Sequence, residues 1–152
     1  MREILFRGKR TDNGEWAEGY YACESNHACF AYELKYHHYI FKDVFLDWNL
    51  GGLEKYEVIP ETVGQYTGFT DKNGKKIFEG DIITELDGGM DGIPRKVVWR
   101  EAYMQYGCPL VRRHWAYGNN DCGLWMMQSE NIEVIGNIHD NPELLKGATS
   151  DA

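Results

Sequence analysis

The chain has 152 residues, enough for one medium-sized domain or two small modules. Hydrophobic residues make up 43% of it and charged residues 26%, which excludes an intrinsically disordered chain. The first 60 residues carry 7 basic and 10 acidic side chains and the remainder 9 and 14, for a net charge of −8. Neither part has the basic excess that binding to nucleic acid draws on, so the charge disfavours a nucleic-acid partner.

The first residues, the hydropathy and the cysteines of the chain predict the cellular compartment. The first seven residues are too short and too charged to be a signal peptide, and no apolar run approaches the ~20 residues needed to cross a bilayer. We therefore expect a cytoplasmic protein that makes no membrane contact and keeps its cysteines reduced. These cysteines are Cys23, Cys29, Cys108 and Cys122.

The first predicted element is a β-hairpin. Its strands are Ile4–Arg10 and Glu15–Cys23, joined by a turn at Thr11–Gly14. Asn-Gly at the tip readily supplies the positive φ angles that tight hairpins need.

A second strand pair and a single strand follow. The pair comprises Cys29–Leu34 and Tyr39–Phe45, and a loop is predicted at Asp47–Gly52. The alternating strand Tyr56–Ile59 ends at Pro60, because proline lacks the N–H group that a strand needs to continue.

The clearest local pattern lies in the middle of the chain. Val63–Phe69 leads into a hairpin tip at Asp71–Gly74, and Phe78–Asp81 forms a second turn before the apolar pair Ile82 and Ile83. In such a turn glycine tolerates the strained backbone and aspartate accepts hydrogen bonds from neighbouring N–H groups.

The last third is predicted to hold short strands separated by polar loops. The loops are Asp87–Pro94 and Gly118–Gly123, and Asn141 should cap a single helical turn with Pro142 in its first position. The predicted strands are Lys96–Arg100, Arg113–Tyr117, Leu124–Gln128 and Ile132–Ile138.

Three blocks of sequence resemble the YopX family of phage and prophage proteins from Gram-positive bacteria. The first contains Phe6-Arg7-Gly8-Lys9 with Trp16 and Gly19-Tyr20. The second runs from Pro60 to Asp81 and the third from Val134 to Leu145. The resemblance extends from about Arg2 to Leu145, nearly the whole chain.

The resemblance implies a mainly-β protein that assembles as an oligomer. We expect a β-rich N-terminal module at 1–60, an SH3-like barrel at 61–146 and a flexible tail at 147–152. It implies no reaction, no cofactor and no catalytic or metal-binding residue, so we expect a non-enzymatic protein in the cytoplasm of the host bacterium.

Three chemical hypotheses compete with this interpretation. Zinc could bind among a group of Cys and His residues, although no C-x2-C pair supports it. That group is Cys23, His27, Cys29, His37 and His38. Cys108 or Cys122 could act as a nucleophile with His114 or His139, yet neither cysteine is visibly activated.

Paired carboxylates are the third hypothesis, with Glu79 and Asp81 or Glu61 and Asp71 as the pairs. These residues flank turns, so we predict that Asp81 serves as a local hydrogen-bond acceptor.

Two binding hypotheses remain. Self-association or binding of a phage or host protein is favoured by five tryptophans and ten tyrosines, because interfaces are enriched in both. The alternative is a nucleic-acid surface in the C-terminal part, built from basic and aromatic side chains. Its candidates are Arg95, Lys96, Trp99, Arg100, Arg112, Arg113, Trp115 and Tyr117, with His114 beside them.

Overall fold

The computed structural model describes residues 3–25, 35–47, 50–85, 92–100, 105–109, 121–123 and 129–146. They form twelve β-strands, all paired antiparallel, with three short 3₁₀ turns. The predicted mainly-β class is therefore confirmed. The chain divides into two compact units, Met1–Gln65 and Tyr66–Ala152. Within the described ranges no helix is long and apolar enough to cross a membrane.

The first unit is a sheet in the order β4-β3-β2-β1. Its strands are β1 (Phe6–Lys9), β2 (Trp16–Ser25), β3 (Tyr36–Asp47) and β4 (Leu50–Glu57). The predicted hairpin of β1 and β2 is confirmed, with Gly14 at φ +71° in its turn. The predicted strand Cys29–Leu34 lies outside the described residues.

The core of this unit lies on one face of the sheet. Ala17, Ile40 and Val58 are almost fully buried. Four partly buried side chains pack around them: Phe6, Tyr21, Tyr56 and Val63. Gly19 passes so close to β3 that an added Cβ would lie 2.0 Å from the carbonyl oxygen of Phe41. Only glycine fits there.

The predicted loop at Asp47–Gly52 is wrong at its described residues, since Asp47 is the last residue of β3. β4 begins at Leu50, and both Gly51 and Gly52 pair with β3. Glycine is a weak strand former, but pairing along the neighbouring strand decides the conformation here. Beyond β4, Val58 forms an antiparallel bridge with Arg10.

The second unit contains the remaining strands. β5 (Gly64–Thr70) begins in the first unit, where Gly64 and Gln65 pair with β1, and continues into the second. Its partner there is β6 (Lys76–Phe78). One three-stranded sheet has the order β12-β7-β8, built from β7 (Asp81–Glu85), β8 (Arg95–Lys96) and β12 (Ile132–Asn137). The other has the order β11-β10-β9, built from β9 (Val98–Arg100), β10 (Gln105–Pro109) and β11 (Asp121–Gly123).

The described strands of this unit do not close into a barrel, and its SH3-like form stays a prediction. β11 corrects the end of the turn predicted at Gly118–Gly123, since Asp121 to Gly123 pair with β10. The helical turn near the C-terminus is a 3₁₀ turn, Pro142–Leu145. Asn141 precedes it without a side-chain cap, so the predicted capping bond is wrong.

Asp71 links two distant stretches of the second unit. Its carboxylate is 4% exposed and accepts bonds from the N–H groups of Asn73 and Lys75 at 2.8 and 2.9 Å. The other oxygen accepts from the N–H of Val134, 63 residues away, at 3.1 Å. Lys72 adds an ion pair with Glu133 at 2.8 Å. The central and final sequence blocks of the resemblance thus meet at this aspartate.

Burial alone would raise the pKa of Asp71. The three N–H groups outweigh it, since they favour the ionised form, and the pKa lies below its ordinary value.

Candidate functional site

The face of the first sheet opposite its core carries a concentration of aromatic and charged side chains. Side chains alternate between the two faces of a strand, so the neighbours of the buried Ile40 lie away from the core. We call this surface the aromatic face. It consists of Tyr20, Ala22, Glu24, His37, Tyr39, Phe41, Leu53, Lys55 and Glu57, all on β2, β3 and β4.

Strand register arranges the aromatic face in rows. Phe41 stands opposite Tyr20 on β2 and opposite Lys55 on β4. In the next row Tyr39 lies opposite Ala22 and Glu57, and His37 follows opposite Glu24. Cross-strand neighbours of this kind interact directly, because their Cβ atoms are about 5 Å apart.

The rings on β3 form a continuous series. His37 stacks beside Tyr39 with ring centroids 6.3 Å apart, and Tyr39 meets Phe41 at 6.4 Å. The Nζ atom of Lys55 lies 3.7 Å from the Tyr39 ring centroid and 5.7 Å from that of Phe41. A cation in this position is attracted by the negative face of the ring.

Two carboxylates complete the charge pattern. Lys55 donates to Glu24 at 2.7 Å, and this bond raises the pKa of Lys55 against the opposing effect of desolvation. The Nδ1 atom of His37 lies 2.7 Å from a carboxylate oxygen of Glu57. An exposed ion pair such as that of Lys55 with Glu24 contributes little to stability. The two contacts together hold charged groups of both signs, Lys55 and the two glutamates, around the rings.

Large apolar side chains on this surface meet the solvent. Tyr20 is 54% exposed and Leu53 is 62% exposed. Exposed apolar groups rimmed by charges are typical of protein–protein contact sites, where tyrosine is enriched.

A further aromatic–cation group lies on the same side, where β1 pairs with the start of β2. The guanidinium carbon of Arg7 lies 4.7 Å from the Trp16 ring centroid, and the Nζ atom of Lys9 lies 5.7 Å from it. Trp16 and Tyr20 share a face of β2, so this group borders the aromatic face on the β1 side, although Arg7 itself is only 8% exposed.

The residues proposed for zinc fall on different faces. Cys23 and His38 are cross-strand partners with Sγ and Nε2 4.0 Å apart, and His38 Nδ1 lies 2.6 Å from the hydroxyl of Tyr21. His37 belongs to the aromatic face, while 27 and 29 lie outside the described residues. Among the described side chains no three His, Cys, Asp or Glu residues gather as a metal site would need.

The residues proposed for thiol chemistry are only partly described. The backbones of Cys108 and Cys122 are register partners on β10 and β11, a juxtaposition that the sequence did not predict. His139 lies in the turn after β12, where its N–H donates to Asn137. His114 lies outside the described residues.

Three of the four carboxylates proposed for acid–base work, those of Asp71, Glu79 and Asp81, accept hydrogen bonds from backbone N–H groups. Asp81 is 1% exposed and accepts from the N–H of Phe78 at 2.8 Å, so the predicted turn role is confirmed. Glu79 accepts from the N–H of Trp99 at 3.4 Å. Glu61 lies exposed in the 3₁₀ turn Pro60–Thr62.

The predicted nucleic-acid surface is described at four of its positions. Arg95 is 9% exposed, because it lies on β8 opposite the fully buried Ile83. Lys96 is half-buried, and Trp99 is 39% exposed with its ring 4.9 Å from that of Tyr106. Arg100 closes β9, where it pairs with Gln105. The other candidates, at 112, 113, 115 and 117, lie outside the described residues.

Sequence reasoning missed the aromatic face. Alternate aromatic positions at 37, 39 and 41 were the available signal, because residues two apart share a face of a strand. Their neighbours on β2 and β4 follow only from the register.

Two antiparallel units without long helices define a small all-β protein in the described part of the chain. The model of the YopX protein family matches residues 5–146, nearly the whole chain. The protein belongs to the YopX family.

A solved structure shares this fold. The crystal structure of protein EF1440 from Enterococcus faecalis matches with a TM-score of 0.53 and 22% identity, covering 95% of this chain and 99% of that one. At this identity the likeness concerns the fold alone. No curated protein matches the chain.

Proposed function

We propose that this protein is a non-enzymatic binding or scaffold protein of a phage or prophage, acting as a homo-oligomer in the cytoplasm of the host bacterium. The aromatic face of the first unit is the surface that contacts a phage or host protein. Family membership supports the phage setting, since the resemblance is to phage and prophage proteins.

The observation that carries the proposal is that the exposed Tyr20 lies beside the series of rings on β3, which charged side chains contact. Lys55 sits over Tyr39 and is itself bound to Glu24. Preordered aromatic side chains favour binding, because less conformational entropy is lost when a partner arrives. Charges of both signs around the rings suit a protein partner better than a polyanion.

A nucleic-acid partner is the alternative, and it rests on the second unit. An SH3-like barrel there would be a suitable module, and Trp99 offers 39% of its surface for stacking. Against it, Arg95 is buried and the protein carries a net charge of −8. If the protein retards nucleic acid in a gel and this retardation weakens steeply with salt, the result would favour nucleic-acid binding over protein binding by the aromatic face.

Two experiments test the proposal. Light scattering at micromolar concentration should show an oligomer, and a strict monomer would overturn the scaffold function. Co-purification from lysogenic cells should recover a protein that Tyr20→Ala loses and Ile4→Ala retains. Ile4 is the matched control, being 61% exposed in the same unit but outside the aromatic face. Equal recovery by both variants would remove the aromatic face from the proposal.

A further inference from the structure

The outer edge of the first sheet is formed by β4, which stands last in the strand order. Alternate residues of an edge strand point their N–H and C=O groups toward the neighbour or away from the sheet. The N–H of Val58 donates to His38 on β3, so Val58 faces inward. Glu57 must then face outward, and its carbonyl indeed accepts from Thr11 rather than from β3.

Counting back by two from Glu57 identifies the outward-facing residues as Lys55, Leu53 and Gly51. No hydrogen bond joins their outward backbone groups to any part of the chain that the structure describes. The side-chain positions along this stretch are open as well, since Leu53 is 62% exposed and a Cβ added to Gly51 meets nothing within 4 Å. A strand edge in this condition is a template for another strand.

We infer that β4 pairs antiparallel with β4 of a second copy, about a twofold axis at Leu53. This proposal rests on the oligomeric function proposed above and names the surface through which the oligomer forms. In this register the two Leu53 residues exchange both backbone hydrogen bonds, and Gly51 of each copy exchanges bonds with Lys55 of the other. Such an isologous contact closes as a dimer.

The side chains of β4 fit this register better than the registers in which the axis is shifted by one or two residues. Centred on Leu53, the pairing sets Lys55 opposite Gly51 and Glu54 opposite Gly52, so no like charges meet. Centring the axis on Glu54 or on Lys55 would place two identical charges directly opposite each other, which is destabilising. Gly51 and Gly52, which weaken β4 as a strand, thus lie opposite the charged residues of the partner.

The pairing also joins the two aromatic faces. Leu53 lies on the same face as Phe41 and Tyr20, so the two exposed leucines meet at the axis. The first sheets of two copies then form one continuous sheet with a doubled binding surface. A partner with two contact points gains avidity from such an arrangement.

Sedimentation equilibrium on the full chain tests the inference. Leu53→Lys places two positive charges at the axis and should weaken self-association about 100-fold. Ile4→Lys changes an equally exposed residue away from the edge and should associate like the wild type. Far-UV circular dichroism should be unchanged in both variants.

A second pair of variants tests the register itself. Gly51→Lys opposes Lys55 of the other copy and should weaken association about tenfold, whereas Gly51→Glu pairs with it and should associate at least as tightly as the wild type. The open space around Gly51 keeps both variants folded. An oligomer that Leu53→Lys leaves intact, or equal behaviour of the two Gly51 variants, overturns the edge pairing alone. A wild type that stays monomeric overturns the oligomeric function as well.

Discussion

The two units use their polar residues in different ways. In the second unit Asp71 and Asp81 are buried and accept hydrogen bonds from backbone N–H groups. In the first unit Glu24 and Glu57 lie exposed and pair with side chains above a sheet. Buried acceptors stabilise a fold, while exposed pairs contribute little and remain available for contacts. These two aspartates of the central sequence block are therefore structural, and the first unit's sheet holds the better candidate for binding.

The largest effect is expected at Gly19 of the first unit. In Gly19→Ala the added Cβ would lie 2.0 Å from a backbone oxygen of Phe41, so β2 and β3 must separate. We expect a loss of about 4 kcal/mol in the free energy of unfolding, measured by urea denaturation. Gly51→Ala, in the same sheet but in open space, should stay within about 0.5 kcal/mol of the wild type. Equal stability of the two variants would contradict the close approach of β2 and β3.

The second effect concerns the buried carboxylate of the second unit. Asp71→Ala leaves the N–H groups of Asn73, Lys75 and Val134 without their acceptor, at a cost of about 3 kcal/mol. Asp71→Asn should lie between this variant and the wild type, because its one oxygen can still accept from Asn73 and Lys75. Urea denaturation of the three proteins measures the order. An Asp71→Ala variant as stable as the wild type would show that the packing of the central and final sequence blocks does not depend on this residue.

The same carboxylate predicts a pH dependence. The pKa of Asp71 lies below its ordinary value of 3.8 in the folded protein. Its contribution to stability is therefore complete above about pH 4–5 and is lost as the pH falls through the folded pKa. The difference in unfolding free energy between wild type and Asp71→Ala should begin to shrink as the pH falls below about 4 and should go on shrinking at lower pH. A difference that stays constant as the pH falls would contradict the assignment.

The smallest effect compares one lysine from each unit. Lys72→Met removes the ion pair with Glu133 that joins the central hairpin to β12, and should cost about 0.5 kcal/mol. Lys55→Met removes the cation above Tyr39 and should leave thermal stability unchanged, because Lys55 lies in solvent. Thermal melts in parallel measure both. A larger loss in Lys55→Met would make the aromatic face a stabilising element rather than a binding surface.

Local patterns in the sequence predicted the elements that local chemistry determines. The Asn-Gly turns at Gly14 and Gly74 form as expected, both with positive φ. The acceptor role of Asp81 also follows from its place in a turn. In each case residues within a few positions supply the physical cause, so the prediction needs no knowledge of distant contacts.

Three features that depend on strand pairing were not predicted. The strand at Gly51 and Gly52 exists because β3 pairs with it, against the weak propensity of glycine. Arg95 is buried because of the strand beside it, although its charge favoured the surface. The aromatic face is assembled from three strands, so its rows appear only once the register is known.

Amide hydrogen exchange along β4, followed by NMR at several protein concentrations, tests the central claim most directly. The inward N–H groups of Gly52, Glu54 and Tyr56 should be protected at every concentration. Those of Gly51, Leu53 and Lys55 should exchange fast in dilute protein and become protected as the concentration rises, while the N–H groups bound to Asp71 do not change. Outward amides of β4 that exchange fast at all concentrations, in a protein that light scattering shows to be oligomeric, would contradict the account.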